Sequence, residues 1–191
     1  LDPVILGWIA TAYLLSSAAS LVPLGRIADI YGRKKIFIWG LVIFTLSSLL
    51  CGMASSVTML ISCRVIQGVG GAMLAGTTVA LLTTVFPANE RGKVLGINVA
   101  ATYTGLSLGP VLGGVLTQHL GWRSIFYLSA LLGLVVIGVV LWKLKGEWTG
   151  AKGERFDFVG SIIYSLGLVA LVYGFTLLPA MSGVWLIVGG V

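Results

Sequence analysis

An arginine, Arg64, stands inside a long apolar run, in the stretch Arg64-Val65-Ile66-Gln67-Gly68-Val69-Gly70-Gly71-Ala72. At helical spacing Arg64, Gln67, Gly68, Gly71, Ala72 and Ala75 share one face. A charge at such a depth costs at least about 2.5–3.5 kcal/mol on insertion scales, and by default it marks a functional site. The plain alternative is an arginine that snorkels to the outer headgroups, since it lies about seven residues, or roughly 10 Å, from the outer end of its run. Gln67 and the small residues make this face an interior one, which favours function.

A second group lies in Gly25-Arg26-Ile27-Ala28-Asp29-Ile30-Tyr31-Gly32-Arg33-Lys34-Lys35. Gly25 and Gly32 are expected to bracket a turn that reverses the chain. Asp29 and Arg33 are four apart and can meet if the stretch is helical. A basic loop that merely fixes topology is the competing explanation, but that job needs neither Asp29 nor the glycines.

A third stretch, Gly105-Leu106-Ser107-Leu108-Gly109-Pro110-Val111-Leu112-Gly113-Gly114, contains the G-x-S-x-G pattern of a hydrolase nucleophile. That chemistry needs a strand-turn-helix context and a His/Asp pair. Here the pattern falls in an apolar helical run whose only histidine, His119, sits at the outer end, where it reads as solvated rather than as a proton carrier. Gly105, Gly109 and Gly113 instead form a smooth ridge against which another helix can pack closely, and Pro110 should kink the run. Cys51 and Cys63 flank one outer turn and read as small apolar filler, although a disulfide is geometrically conceivable. No Cys/His cluster has metal-ligand spacing, so no metal site is expected.

The elements that position these residues are membrane spans. Apolar residues make up 58% of the chain, charged residues 9%, and mean hydropathy is +1.06; a soluble domain is roughly a quarter charged. Apolar runs cover Val4–Leu24, Ile36–Met53, Val57–Phe86, Val94–Gln118, Ser124–Trp142 and Val159–Leu178, and another opens at Gly183 and continues to Val191. Each of the six is about the length that crosses a hydrocarbon core of about 30 Å. Backbone groups must be satisfied internally there, so the runs are helices; the short alternating strands of a barrel do not occur. The expected fold class is therefore an all-α membrane protein, a bundle of six complete transmembrane helices plus the start of a seventh.

The net charge of +6 orients this bundle. Arg26, Arg33, Lys34, Lys35, Arg91, Lys93, Lys143, Lys145, Lys152 and Arg155 all fall in alternate connections, while the intervening ones carry only Arg123. The positive-inside rule makes the basic connections cytoplasmic and Leu1 external. Charge so distributed implies a bilayer and no nucleic-acid partner. The first run is too long, and lacks the basic leader, for a cleaved signal peptide. A first span that begins outside, without an initiator Met, and a last run cut off in mid-helix lead to the expectation of a fragment.

Together these stretches resemble the major facilitator superfamily, in particular its drug:proton antiporters with fourteen spanning helices. Gly25–Lys35 is similar to the signature between helices two and three, Arg64–Ala72 to the arginine motif of helix four, and Gly105–Gly114 to the antiporter motif of helix five. Trp8-Ile9-Ala10-Thr11-Ala12-Tyr13-Leu14-Leu15, Gly121-Trp122-Arg123-Ser124-Ile125-Phe126 and Phe156-Asp157-Phe158-Val159-Gly160 fit as well. The resemblance implies that residues 1–144 are helices two to six of an N-terminal transporter half, 145–158 a cytoplasmic loop, and 159–191 helix seven and the start of eight, an extra linker pair. It implies proton-coupled efflux of small lipophilic or cationic compounds through a multi-pass cell-membrane protein, driven by a proton gradient and needing no cofactor. Substrate would bind between this half and the missing C-terminal half of the same protein.

On that resemblance Arg64, with Gln67 and Gly68, responds to protonation and ties helix four to its neighbours. Gly105, Gly109, Pro110, Gly113 and Gly114 shape bent, close packing that biases the carrier toward exchange. Asp29 and Arg33, with Gly25 and Gly32 beside them, lock the halves together on the cytoplasmic side in the outward-facing state, with Glu90 completing the cluster. No Asp or Glu lies deep in any span, so the proton-carrying carboxylate is expected in helix one. The rival functions are a carrier of one specific metabolite on the same fold, a membrane-embedded enzyme, and a structural or receptor-like membrane protein. The enzyme needs clustered acidic, His or metal-binding residues at one depth, and the last leaves Arg64 without a role.

Overall fold

The computed structural model describes residues 3–151, 153–176 and 181–190; expectations made for Leu1, Lys152, Leu178 and Val191 lie outside the described residues. The chain forms helices α1 (Pro3–Tyr31), α2 (Arg33–Gly52), α3 (Val57–Val85), α4 (Ala88–Leu120), α5 (Arg123–Lys143), α6 (Phe158–Thr176) and α7 (Met181–Gly190), with no strand among the described residues. Six of them are long and apolar enough to cross a membrane.

The helices run further than the apolar runs at the basic end. α1 continues through Pro23 and Gly25 to Tyr31, so Gly25 does not bracket a turn. The reversal is made at Gly32 alone, whose φ of 124° lies where a side chain is strained. α2 then starts at Arg33 rather than Ile36, and α4 at Ala88 rather than Val94. Polar residues can continue a helix into water once the span has nucleated it, and hydropathy alone places the boundary inside the true helix end. At the other end Ser56 starts α3 in the usual way: its side chain accepts from the Met59 backbone N–H at 3.1 Å.

α3 is the centre of the bundle, packed between α1 and α2, and α5 lies against α2. Beside a few larger side chains such as Ile36, Leu41, Leu60 and Leu81, much of what these helices bury is small or hydroxylic: Ala12, Ala28, Ala72, Ala130, Cys51, Cys63, Ser47, Ser48, Thr45 and Thr77. Lipid supplies no hydrophobic drive between helices, so contact depends on backbones approaching closely. Gly68 shows how closely: a Cβ there would stand 2.5 Å from the Tyr13 carbonyl oxygen of α1. Gly70 meets α2 in the same way, 2.7 Å from the Phe44 nitrogen. Most buried hydroxyls donate to their own helix, as Ser47 does to Ile43 O at 2.7 Å and Thr77 to Met73 O at 2.6 Å. Thr45 is the exception, a buried hydroxyl without a partner against Gly133 of α5. Cys51 and Cys63 pack together in one small cluster and are unbonded.

α6 lies on the other side of α1, where Ser165 Oγ donates to Ala19 O at 2.8 Å and the Trp8 and Tyr173 rings stand 5.9 Å apart. α7 packs on α6. Among the described residues α4 touches only α3 and α5 and buries none of its own residues. The first and third basic connections meet at one end of the bundle, joined by bonds among Asp29, Arg33 and Gly150, and Arg33 also reaches Thr84 in the last turn of α3, which leads into the second. At the opposite end Arg123 donates to Ala54 O at 2.9 Å.

Candidate functional site

Arg64 projects from α3 toward α1. Its Nε donates to Ile9 O at 3.0 Å, and one terminal nitrogen donates to Gln67 Oε1 at 2.7 Å. The guanidinium carbon is 4.6 Å from the centroid of the Tyr13 ring and 5.8 Å from that of Phe126, within the range of cation–π attraction. Gln67 is buried, and its Nε2 donates to Ser48 Oγ on α2 at 2.7 Å. Gly68 lets α1 come near enough for these contacts. Beside the arginine, Leu6, Ile9, Leu60, Trp122 and Phe126 line a cleft of about 500 Å³. Among the described residues Arg64 makes no ion pair. Because a guanidinium keeps its proton at any physiological pH, Arg64 cannot relay protons. It can only bias a group that does, or hold helices together.

At the basic end Arg33 Nε pairs with Asp29 Oδ1 at 2.8 Å, one turn apart across the Gly32 reversal. The rest of its guanidinium reaches α3, donating to Thr84 Oγ1 at 2.7 Å and to Ala80 O at 3.4 Å. The connection after α5 straps over this corner. Gly150 and Ala151 donate backbone N–H groups to Asp29 O at 3.0 and 2.9 Å, and Arg33 N–H donates to Trp148 O at 2.8 Å. Glu147 Oε1 accepts from Lys34 N–H at 2.9 Å, a carboxylate placed at the positive end of α2. Arg26 pairs with Glu154.

Glu90 does not complete this cluster. It is exposed in the first turn of α4 and makes no ion pair among the described residues. The additional carboxylates come from Glu147 and Glu154 instead. The glycine ridge is also not packed as expected. A Cβ on Gly105, Gly109 or Gly114 would meet nothing within 4 Å, and one on Gly113 only Ile125 Cδ1 at 3.8 Å. Pro110 lies inside one continuous helix, and Ser107 lies in mid-helix, away from any strand-turn-helix setting. His119 is exposed in the last turn of α4.

Sequence reasoning missed Ser48, the Ile9 carbonyl, Glu147 and Glu154. The two glutamates carried a signal, being two of only six acidic residues and lying in a connection of opposite charge. Ser48 carried almost none, since a serine in a spanning helix usually bonds only its own backbone.

A bundle of six apolar helices long enough to span, with a guanidinium held among them and a charged clasp at one end, has the architecture of a multi-pass membrane protein. The family model of the Major Facilitator Superfamily matches residues 1–191, and the chain belongs to that superfamily. It is 36% identical over 169 residues to the multidrug resistance protein Stp of Mycobacterium tuberculosis, covering 88% of this chain and 31% of that protein. It is 37% identical over 174 residues to the cephamycin export protein CmcT of Amycolatopsis lactamdurans, covering 90% and 36%. With the riboflavin transporter RibZ of Clostridioides difficile it shares 34% identity over 158 residues, covering 83% and 35%. The chain thus spans about a third of the length of the curated relatives it matches.

Proposed function

We propose that this chain is part of a proton-coupled exporter of small lipophilic or cationic compounds. The observation that carries the reading is Arg64. A permanent charge is held inside the bundle by Ile9, Gln67 and Tyr13, and it makes no ion pair among the described residues. Such a charge favours the ionised form of any carboxylate brought near it and thereby sets when that carboxylate takes up a proton. The carboxylate, in this account, belongs to a helix beyond this chain. Relatives named for multidrug resistance and cephamycin export support the direction of transport.

The clasp at the basic end is the gate. Asp29, Arg33 and the strap at Glu147–Ala151 hold the α1–α2 corner in one geometry against which the C-terminal half closes on the cytoplasmic side. The open ridge at Gly105, Gly109 and Gly113, with Pro110 and Gly114, is a packing face for helices outside this chain. The proton gradient is the driving force, and no cofactor takes part.

A second reading, a carrier for one metabolite, is favoured by the riboflavin transporter among the relatives. One experiment separates the two. Cells expressing the full-length protein are loaded with ethidium, with an uncharged lipophilic dye, or with riboflavin. Export of both dyes that stops with a protonophore is the expected result. Export of riboflavin alone would establish the metabolite carrier, and export of none of them would refute both.

A further inference from the structure

We propose that Ser48 is a positioning residue for Arg64: it fixes which end of the Gln67 amide faces the guanidinium. The inference rests on the transport reading for its consequence, and on hydrogen-bond direction for its geometry.

Gln67 carries a donor and an acceptor on nearly superimposable atoms, so two orientations of its amide fill the same space. Only one of them presents Oε1 to Arg64; the other would set an NH2 donor against a guanidinium that has only donors. The neighbour on the far side decides which orientation holds. That neighbour is the Ser48 hydroxyl, which also lies 2.6 Å from Phe44 O, four residues back on α2. A carbonyl can only accept, so the single hydroxyl proton of Ser48 is committed to Phe44. Its lone pairs are then what Gln67 meets, at 2.7 Å, and the Gln67 NH2 must face them. Oε1 is thereby turned to Arg64, also at 2.7 Å.

The polarity runs one way along the whole chain, from Arg64 through Gln67 and Ser48 to the Phe44 carbonyl. Burial enforces it. Ser48 is 0% and Gln67 2% exposed, so no water can substitute for a lost partner, and a buried amide donor without an acceptor is strongly disfavoured. Ser47, the adjacent hydroxyl, makes no such bond, since it returns to Ile43 and Phe44 of its own helix. Removing the Ser48 oxygen leaves the buried Gln67 NH2 without an acceptor on that side, so the side chain loses its anchor on α2 and swings out of line to find another. Arg64 then loses its acceptor on α3 and keeps only the Ile9 carbonyl and the aromatic faces.

The test uses Ser48→Ala, Ser48→Thr, Gln67→Ala and the Ser48→Ala/Gln67→Ala pair in the full-length protein. Each is purified, its thermal unfolding midpoint recorded, and proton-driven dye transport measured in vesicles. Ser48→Ala should slow transport roughly tenfold, the equivalent of about 1.4 kcal/mol. Ser48→Thr, which keeps the hydroxyl, should recover to within about twofold of the wild type. The double variant should transport no more slowly than Gln67→Ala alone, because Ser48 acts through Gln67. Additive losses in the double variant would overturn the proposal, and so would wild-type transport by Ser48→Ala beside an inactive Arg64→Ala. The unfolding midpoints test the contact without reference to transport: their shifts should be non-additive as well, and additive shifts would refute the geometry. Should the unmodified protein move no dye, the transport reading fails, and those midpoints still decide whether Ser48 holds Gln67.

Discussion

Arg33 makes the ion pair proposed above as part of a gate, and little stability need rest on it. Its pair with Asp29 is close, at 2.8 Å, but the two side chains remain 19% and 34% exposed. Pairs near a surface contribute about 0–1 kcal/mol. Asp29→Asn should therefore lower the unfolding midpoint of the full-length protein by no more than about 4 °C. Transport should fall far more, because the variant loosens the corner on which the gate closes. A fall in unfolding temperature with unchanged transport would make the pair purely structural. Glu147→Gln tests the strap in the same terms. The amide oxygen still accepts from Lys34 N–H, but the negative charge at the start of α2 is lost. The helix-terminal effect of such a charge is about 0.3–1 kcal/mol, so a modest loss of stability is expected, erased by high salt in the wild type. A midpoint insensitive to both substitution and salt would show that the strap is held by its backbone bonds alone. At this scale the sequence was legible wherever a charge stood out against apolar surroundings, as with Arg64, Asp29 and Arg33. It was silent at Ser48, where the proposed role depends on which bonds a common hydroxyl makes, and it misled at Glu90, which a shared basic side grouped with Asp29 and Arg33 but which stands exposed on α4, outside the cluster.

Helices α1 and α3 show what the glycines are for. Gly68 faces the backbone of Tyr13 at a distance no Cβ tolerates, 2.5 Å from its carbonyl oxygen. Gly68→Ala must push α1 away from α3, and overpacking of this kind costs about 1–3 kcal/mol. The same displacement carries Ile9 O and the Tyr13 ring away from Arg64. Both the unfolding midpoint and transport should drop together, and an unchanged midpoint would contradict the packing. The contrast with α4 is instructive. Its glycines are spaced like a packing ridge, yet α4 buries none of its residues. Spacing declares that a face is meant to be approached closely; it cannot say by which helix. Helix ends were the least legible feature, since polar residues that extend α1, α2 and α4 beyond the apolar runs look like loop in a hydropathy reading. The order and number of the spans, by contrast, followed from run length.

For the whole molecule, alternating access requires two halves that rock about a shared site. This chain corresponds to about a third of the length of its relatives, and its α4 ridge and Arg64 cleft lie open. Expressed alone and reconstituted, the 191-residue chain is expected to move no dye under a pH gradient, and gradient-dependent movement absent from empty liposomes would overturn the two-half mechanism. If the charge of Arg64 couples proton movement to export, the full-length protein and its Arg64→Ala variant must differ in proteoliposomes. Removing an intramembrane charge should if anything ease insertion, so equal incorporation of both is expected. With a pH gradient imposed, the wild type should accumulate a fluorescent cationic dye and stop when the gradient is collapsed, while Arg64→Ala should stay at the level of empty liposomes. Gradient-driven accumulation by Arg64→Ala at the wild-type rate would show that the Arg64 charge plays no part in coupling.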